Sequence, residues 1–230
     1  KKNKITNYYE RKVLFKNYQR NGGTKIICIS SNTYNFFNKN APNIPKVLLW
    51  NAIDIDRFSN KKIKLTHTLK LINIGTFVPK KNQRFLIEVA RVLYAKNIDF
   101  TLTFLGDGPT LRETKENVKK QMVFSKIKFE GSVDNVESYL SKSDIYVHSA
   151  TYEPFGLVLL EAMSMGLPVI SLNGLGNKDL IKDGKNGYIL NSNNPSDFAL
   201  KLLQLYQDKN SLSKMSNFAK KFASRFNIKD

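Results

Sequence analysis

The stretch Tyr152-Glu153-Pro154-Phe155-Gly156-Leu157-Val158-Leu159-Leu160-Glu161-Ala162-Met163-Ser164-Met165-Gly166-Leu167-Pro168-Val169-Ile170 constrains the fold of this chain more than any other. It follows an apolar run, Ile145-Tyr146-Val147-His148, turns at Pro154 and Gly156, and stays apolar to Gly166. That pattern predicts strand, loop, helix and strand in succession. In a parallel sheet such a loop lies at the ligand-binding edge, where the free N–H groups and positive dipole end of the new helix favour an anion such as a phosphate. Glu153 falls in the loop and Glu161 about a turn and a half into the helix, with a side chain tilted back toward the helix start. Both carboxylates therefore face one ligand site.

Two carboxylates beside an anion-binding helix start repel a bare phosphate. They suit the hydroxyls of a ribose or hexose attached to one, because carboxylates accept hydrogen bonds strongly. Taken singly, a loop glutamate and a helix glutamate are most simply a solvated side chain and half of a surface ion pair. The all but wholly apolar helix around Glu161 argues otherwise, since a charge there needs a specific partner.

From Leu69 onward, strands alternate with amphipathic helices. Strands are predicted at 71–74, 100–105, 127–129, 145–148, 168–171 and 188–190, and helices at 83–96, 110–121, 136–140, 196–206 and 212–222. In the helix at 83, Phe85, Leu86, Val89, Ala90, Leu93 and Tyr94 form one stripe. Such alternation predicts an α/β domain, a Rossmann-like parallel sheet flanked by helices. Ahead of it, Val13 to Tyr18 reads as an amphipathic stretch ending at Asn21-Gly22-Gly23, Lys25 to Ser30 as a buried strand, and Ser59 to Lys64 as a charged link. Cys28, the lone cysteine, excludes an intrachain disulfide and reads as a buried strand thiol.

The segment from Glu153 to Met163, followed by Gly166-Leu167-Pro168-Val169-Ile170, resembles the Glu-x7-Glu signature of the retaining nucleotide-sugar glycosyltransferases of family 4. Further matches follow in the family's order: Ile74-Gly75-Thr76-Phe77 with Lys81-Asn82, Leu105-Gly106-Asp107-Gly108-Pro109, Phe129-Glu130-Gly131, Ser143 to Val147, and Asn186-Gly187-Tyr188. Together they cover about Leu71 to Leu190. The resemblance implies the C-terminal, donor-binding half of a two-domain GT-B fold. Residues 1–58 would be the end of the N-terminal acceptor domain and the interdomain linker, marked by Asn51 to Phe58. Residues 59–208 would form the nucleotide-sugar-binding domain, and 209–230 a C-terminal helix packing toward the N-terminal part.

The same resemblance implies transfer of a hexose from a nucleoside-diphosphate sugar, UDP or GDP, to a glycan or lipid-linked acceptor with retention of configuration. The leaving diphosphate would help deprotonate the acceptor, with neither a side-chain nucleophile nor a bound metal or other cofactor. Glu153 would hold the transferred sugar, Glu161 the ribose, and Lys81 with the N–H groups from Phe155 through Gly156 and Leu157 to Val158 the diphosphate. The catalytic pair is then Glu153 and Lys81. Gly75, Thr76 and Pro154 line the donor site, and Gly131 and Val133 the nucleobase pocket. Thr76 stands where the family often has Arg, so a hydroxyl or Lys80 takes that place. Gly106-Asp107-Gly108 reads as a structural turn. Asn173 to Leu180 departs from the family's Gly-Gly-x-x-Glu pattern and resembles a variant of surface-polysaccharide enzymes. Relatives place the acceptor across a cleft in the other domain, so the 230-residue chain alone is expected to transfer little sugar.

Charge is the least ordinary bulk property: 37 Lys+Arg, only seven of them Arg, against 19 Asp+Glu give a formal +18. The cations are scattered, with no helix-turn-helix, paired RNP aromatics or zinc spacing, which argues against nucleic acid. A solvated Lys-rich face comes first and an anionic membrane surface close behind. No apolar run approaches a membrane-spanning length, and the N-terminus lacks a signal-peptide stretch, so the expected location is cytoplasmic or peripheral on the inner membrane face. His67 and His148 are too few for a metal site, and His148 reads as a strand-end residue. Two other readings stay open: a nucleotide-sugar-binding module without transfer activity, and a basic nucleic-acid-binding protein supported by charge alone.

Overall fold

The computed structural model describes residues 25–59 and 67–229, so the amphipathic stretch Val13 to Tyr18 and most of the charged link lie outside the described residues. The chain divides between Trp50 and Asn51 into two compact units. In the smaller, strand β1 (Ile26–Cys28) pairs in parallel with β2 (Lys46–Leu48). Between them runs helix α1 (Ser31–Asn40), an element the sequence reading does not assign. None of its residues is buried, so it has no apolar stripe to detect. Its start is fixed by Ser30 and Thr33, each side chain accepting the other's backbone N–H. Cys28 is buried, and its thiol is pushed up by desolvation, with Lys46 opposing.

The larger unit carries a six-stranded, all-parallel sheet in the order β5-β4-β3-β6-β7-β8. Its strands are β3 (Leu69–Ile74), β4 (Phe100–Leu105), β5 (Ile127–Gly131), β6 (Ile145–His148), β7 (Val169–Leu172) and β8 (Gly187–Leu190). The connecting helices are α2 (Gln83–Ala95), α3 (Leu111–Lys119), α4 (Val136–Leu140), α5 (Leu157–Ser164), α6 (Pro195–Gln207) and α7 (Lys209–Ala223). The α/β class and the six strand positions of this unit agree with the sequence reading, whereas β2 of the smaller unit is a strand it does not assign. Helix bounds differ from the expected ones by up to three residues: α3 is shorter at both ends, α6 and α7 extend beyond theirs, and α2 starts where expected, after Asn82, whose φ of 52° reverses the chain.

Burial follows the sheet order. All residues of β6 and β7 are buried, whereas β5 at one edge alternates buried and exposed. Phe85 of α2 meets Phe198 of α6 edge-on at 5.5 Å, and Phe104 of β4 stacks on Phe129 of β5 at 5.3 Å. Buried rings of this kind contribute about 1.5–3 kcal/mol each. Asn194 caps α6 at Ser196 N, and Asp208 caps α7 at Ser211 N. The stretch after 208 clusters with the larger unit, and α7 rests on α5 through Ser216 Oγ, which donates to Gly166 O at 2.6 Å. The sheet order places the site. From β3 the chain builds outward through β4 to β5, then returns to β6 on the other flank of β3. The loops after β3 and β6 therefore leave in opposite directions, and a crevice opens between them at the strand C-termini.

Candidate functional site

The β3 side of the crevice begins at Gly75 and Thr76. Gln83, buried at the start of α2, donates to Thr76 O at 3.1 Å and holds this turn. The next turn, Pro79–Lys81, brings Lys81 back over Gly75, where a Cβ on the glycine would lie 3.8 Å from the lysine side chain. Gly106 and Gly108 support the turn from below: a Cβ at either would lie 2.3 Å from Gly75 O or 2.6 Å from Phe77 O. Phe77 N donates to Asp107 O at 2.8 Å. The Gly-Asp-Gly turn thus buttresses the loop. Thr76 and Lys80 are both exposed.

The β6 side is stitched to it. Ser149 Oγ donates to Lys81 O at 2.8 Å and Thr151 N to Lys80 O at 2.9 Å. Glu153 is pinned by its backbone, with N–H donating to Gly174 O at 2.8 Å and C=O accepting from Gly176 N at 3.0 Å. That contact requires glycine at 176, since a Cβ there would lie 2.0 Å from Pro154 O. Asn177, fully buried, holds the 171–174 turn through Ser171, Leu172 and Gly174. The segment Asn173 to Leu180 therefore clamps the glutamate loop. Asn177 is a residue whose part in this the sequence did not reveal.

The Glu153 side chain is 8% exposed and its Oε2 lies 2.5 Å from Lys81 Nζ and 3.4 Å from His148 Nε2. Burial alone would push this carboxyl up, but His148 and Lys81 outweigh it and hold it at about 2 instead of the ordinary 4.5. Glu161 has the opposite setting. It is partly buried, burial raises its pKa, Arg57 offsets that in part, and Glu137 adds to it. Among the described residues the Glu161 side chain makes no ion pair or hydrogen bond, so the specific partner expected for it is not a protein side chain there. Both carboxylates reach Tyr146, whose buried hydroxyl donates to Ile74 O at 3.0 Å and is pushed up by burial first and then by Glu161 and Glu153.

Between the two glutamates α5 begins. Gly156, at φ 99°, turns the chain into the helix, and no side chain caps its first N–H groups. Phe155 is buried and tilts against Phe226 at 6.2 Å, while Pro154 and Val158 are half-buried and Leu157 is exposed at the helix start. The first-turn N–H groups thus open onto the crevice beside Lys81, an arrangement suited to an anion. Along the rim toward the β5 edge, Gly106 N donates to Gly131 O at 2.7 Å. A Cβ on Gly131 would meet nothing within 4 Å, and Val133 beside it is half-buried. Arg57 ties this rim to the Asn51–Phe58 segment, its guanidinium donating to Asp134 O at 2.5 Å and pairing with Glu137 at 3.1 Å.

Lys81 and Glu153 are thus brought into contact at the ends of β3 and β6, with Gly75 beside the lysine side chain; the start of α5 follows the glutamate, Glu161 lies further into that helix, and Gly131 and Val133 follow at the end of β5. Besides Asn177, three residues that matter to this geometry are given no site role by the sequence reading. Gln83 and Arg57 carry no pattern of their own. His148 has one usable signal, an ionisable ring at the end of an otherwise apolar strand five residues before Glu153. Among the described residues no group of three or more His, Cys, Asp or Glu is placed to hold a metal ion. No described helix is long and apolar enough to cross a membrane.

The family model "Glycosyl transferases group 1" matches residues 54–222. An uncharacterized glycosyltransferase of Methanocaldococcus jannaschii is 29% identical over 224 residues, covering 96% of this chain and 60% of that protein. The UDP-Gal:alpha-D-GlcNAc-diphosphoundecaprenol alpha-1,3-galactosyltransferase of Escherichia coli is 29% identical, covering 77% of this chain and 49% of that protein. Among solved structures, HepE of Anabaena, crystallised with UDP and glucose, superposes with a TM-score of 0.78 at 19% identity, covering 89% of this chain and 59% of that one. The chain thus spans about half to three fifths of the length of these relatives.

Proposed function

The chain belongs to the group 1 glycosyl transferases, and from that premise we propose that it is the donor-binding half of a retaining, family 4 enzyme of GT-B architecture. It takes a nucleoside-diphosphate sugar at the crevice between β3 and β6 and supports hexose transfer to a glycan or lipid-linked acceptor. The E. coli relative acts on a diphosphoundecaprenol-linked acceptor, which favours the lipid-linked class. The observation that carries the reading is the buried Lys81–Glu153 pair lying beside the uncapped start of α5.

Each role follows from the local chemistry. The N–H groups from Phe155 to Val158 and the Lys81 ammonium bind the diphosphate and stabilise the charge that grows on it as the glycosidic bond breaks. Glu153, ionised throughout the physiological range, accepts hydrogen bonds from hydroxyls of the transferred sugar. Glu161, which no cation among the described residues pairs with, accepts from the ribose hydroxyls. Gly131, which leaves open space at the rim, and Val133 flank the base, and Gly75 and Thr76 form the floor beside the phosphates. The leaving diphosphate takes the acceptor proton, so these residues orient and stabilise without forming a covalent bond.

Retaining transfer needs acceptor and donor held together, an effect of about 7–11 kcal/mol. This polypeptide by itself accordingly turns over slowly, while the protein that includes the acceptor half is active. The +18 charge suits work at an anionic, cytoplasm-facing membrane surface. Thermal-shift screening of UDP-glucose, UDP-N-acetylglucosamine and GDP-mannose tests the reading: a donor at 100 times its Kd stabilises by about 2.7 kcal/mol. No shift with any of the three at millimolar concentration would remove its basis.

A further inference from the structure

His148 is the last residue of β6, 1% exposed, with its ring stacked on Tyr146 at 6.1 Å. Among the described residues neither ring nitrogen has a hydrogen-bond partner. A buried imidazole with both nitrogens unmatched is costly, so a fold that keeps one calls for an explanation. Nε2 lies 3.4 Å from Glu153 Oε2, the same oxygen that Lys81 Nζ holds at 2.5 Å. One carboxylate oxygen thus has two nitrogen neighbours, one tightly engaged and one within reach. The charged or titratable groups facing the ring are Glu153 from the loop, Lys81 from the β3 side, and Tyr146 on its own strand, whose hydroxyl is committed to Ile74.

A role for His148 rests on the proposed function, in which Lys81 binds the diphosphate. When the ammonium turns to the donor, Glu153 is left as a carboxylate with 8% side-chain exposure and no cation, an arrangement that is strongly destabilising. We propose that His148 is a positioning residue that takes up a solvent proton as the nucleotide sugar binds, closes its Nε2–H onto Glu153, and so frees Lys81 for the diphosphate. The proton comes from water and stays on the imidazole until the donor or product leaves, so no other group changes its charge. The direction agrees with the ring's surroundings. Burial keeps the free imidazole neutral, Glu153 favours its charged form and Lys81 disfavours it, so removing Lys81 tips the ring toward protonation.

Titration calorimetry on the unmodified chain, in buffers of different ionisation enthalpy near neutral pH, reads this directly. The probe is whichever of UDP-glucose, UDP-N-acetylglucosamine or GDP-mannose binds; none carries a phosphate monoester, so the ligand itself does not titrate there. The expected result is net proton uptake on binding, with affinity falling by up to about tenfold per unit of rising pH. His148→Gln keeps an N–H donor for Glu153 but cannot be protonated, so uptake and pH slope should both vanish. His67→Gln, at the exposed second histidine, should retain both. A purely structural role for His148 would lower affinity equally at every pH and leave the slope intact. Binding without proton uptake by the unmodified chain, or an unchanged slope in His148→Gln, overturns the proposal. Failure of all three donors to bind would instead sink the functional reading, and the proposal with it.

Discussion

Glu153 and Glu161 lie eight positions apart in one apolar segment, yet the fold gives them opposite electrostatic settings. Glu153 is buried beside a cation and a histidine and is held at about 2, whereas Glu161 is partly buried, has no ion-pair partner among the described residues and is raised by burial. The difference comes from what surrounds them. Glu153 sits on a loop pinned between the two banks of the crevice, where the Pro79–Lys81 turn delivers an ammonium. Glu161 sits on a helix whose surroundings include Arg57, which lowers its pKa, and Glu137, which raises it, and Arg57 is already committed to Asp134 and Glu137. Two identical side chains thus become a pre-formed charge pair and an open acceptor. A sugar nucleotide asks for both at once, one anionic end and one array of hydroxyls.

The contrast breaks most sharply at Lys81. Lys81→Met leaves Glu153 without its ammonium and with only the His148 ring, 3.4 Å away, to replace it; removing one partner of a buried pair costs about 3–5 kcal/mol, with this partly exposed lysine at the lower end. Adding Glu153→Gln should restore most of that loss. Urea denaturation of the two single variants and the double gives the coupling, and strict additivity would mean the pair contributes nothing.

Acid sharpens the same contrast by sign. The depressed Glu153 pKa contributes stability that is fully present above about 4.5 and lost as pH falls toward about 2, with an order of magnitude of about 3 kcal/mol. The raised Glu161 pKa works the other way: its contribution is present below its ordinary 4.5 and is lost as pH rises through its folded value. Denaturation of Glu153→Gln and Glu161→Gln from pH 3 to 7 should therefore flatten the unmodified curve in opposite directions. The smallest effect belongs to Arg57→Gln. Its exposed pair with Glu137 is worth only about 0–1 kcal/mol, yet the change should push the Glu161 carboxyl further up in a carbon-detected NMR titration. An unmoved Glu161 would separate Arg57 from the site.

Much of this was legible in the chain itself. Alternating strands and striped helices gave the parallel sheet, because buried strands and amphipathic helices leave a period that sequence preserves. Spacing and resemblance single out Lys81, Glu153 and Glu161, and the fold pairs the first two. Helix α1 was not legible, since its stability rests on the Ser30 and Thr33 cap and not on an apolar face. His148, Gln83 and Asn177 escaped for another reason. Each is a polar residue whose meaning depends on a partner elsewhere in the fold, Glu153, Thr76 or the 171–174 turn, and only the closed crevice brings them together.

The central claim is that the two glutamates divide one ligand, Glu161 serving the nucleoside and Glu153 the sugar. Calorimetric titration of UDP and UDP-glucose into the unmodified chain, Glu153→Ala and Glu161→Ala measures that division directly. Glu161→Ala should weaken both ligands by about 1.5–3 kcal/mol, the loss of a charge-assisted hydrogen bond, while Glu153→Ala should spare UDP and weaken only UDP-glucose. Equal losses of free UDP affinity in the two variants would contradict the account.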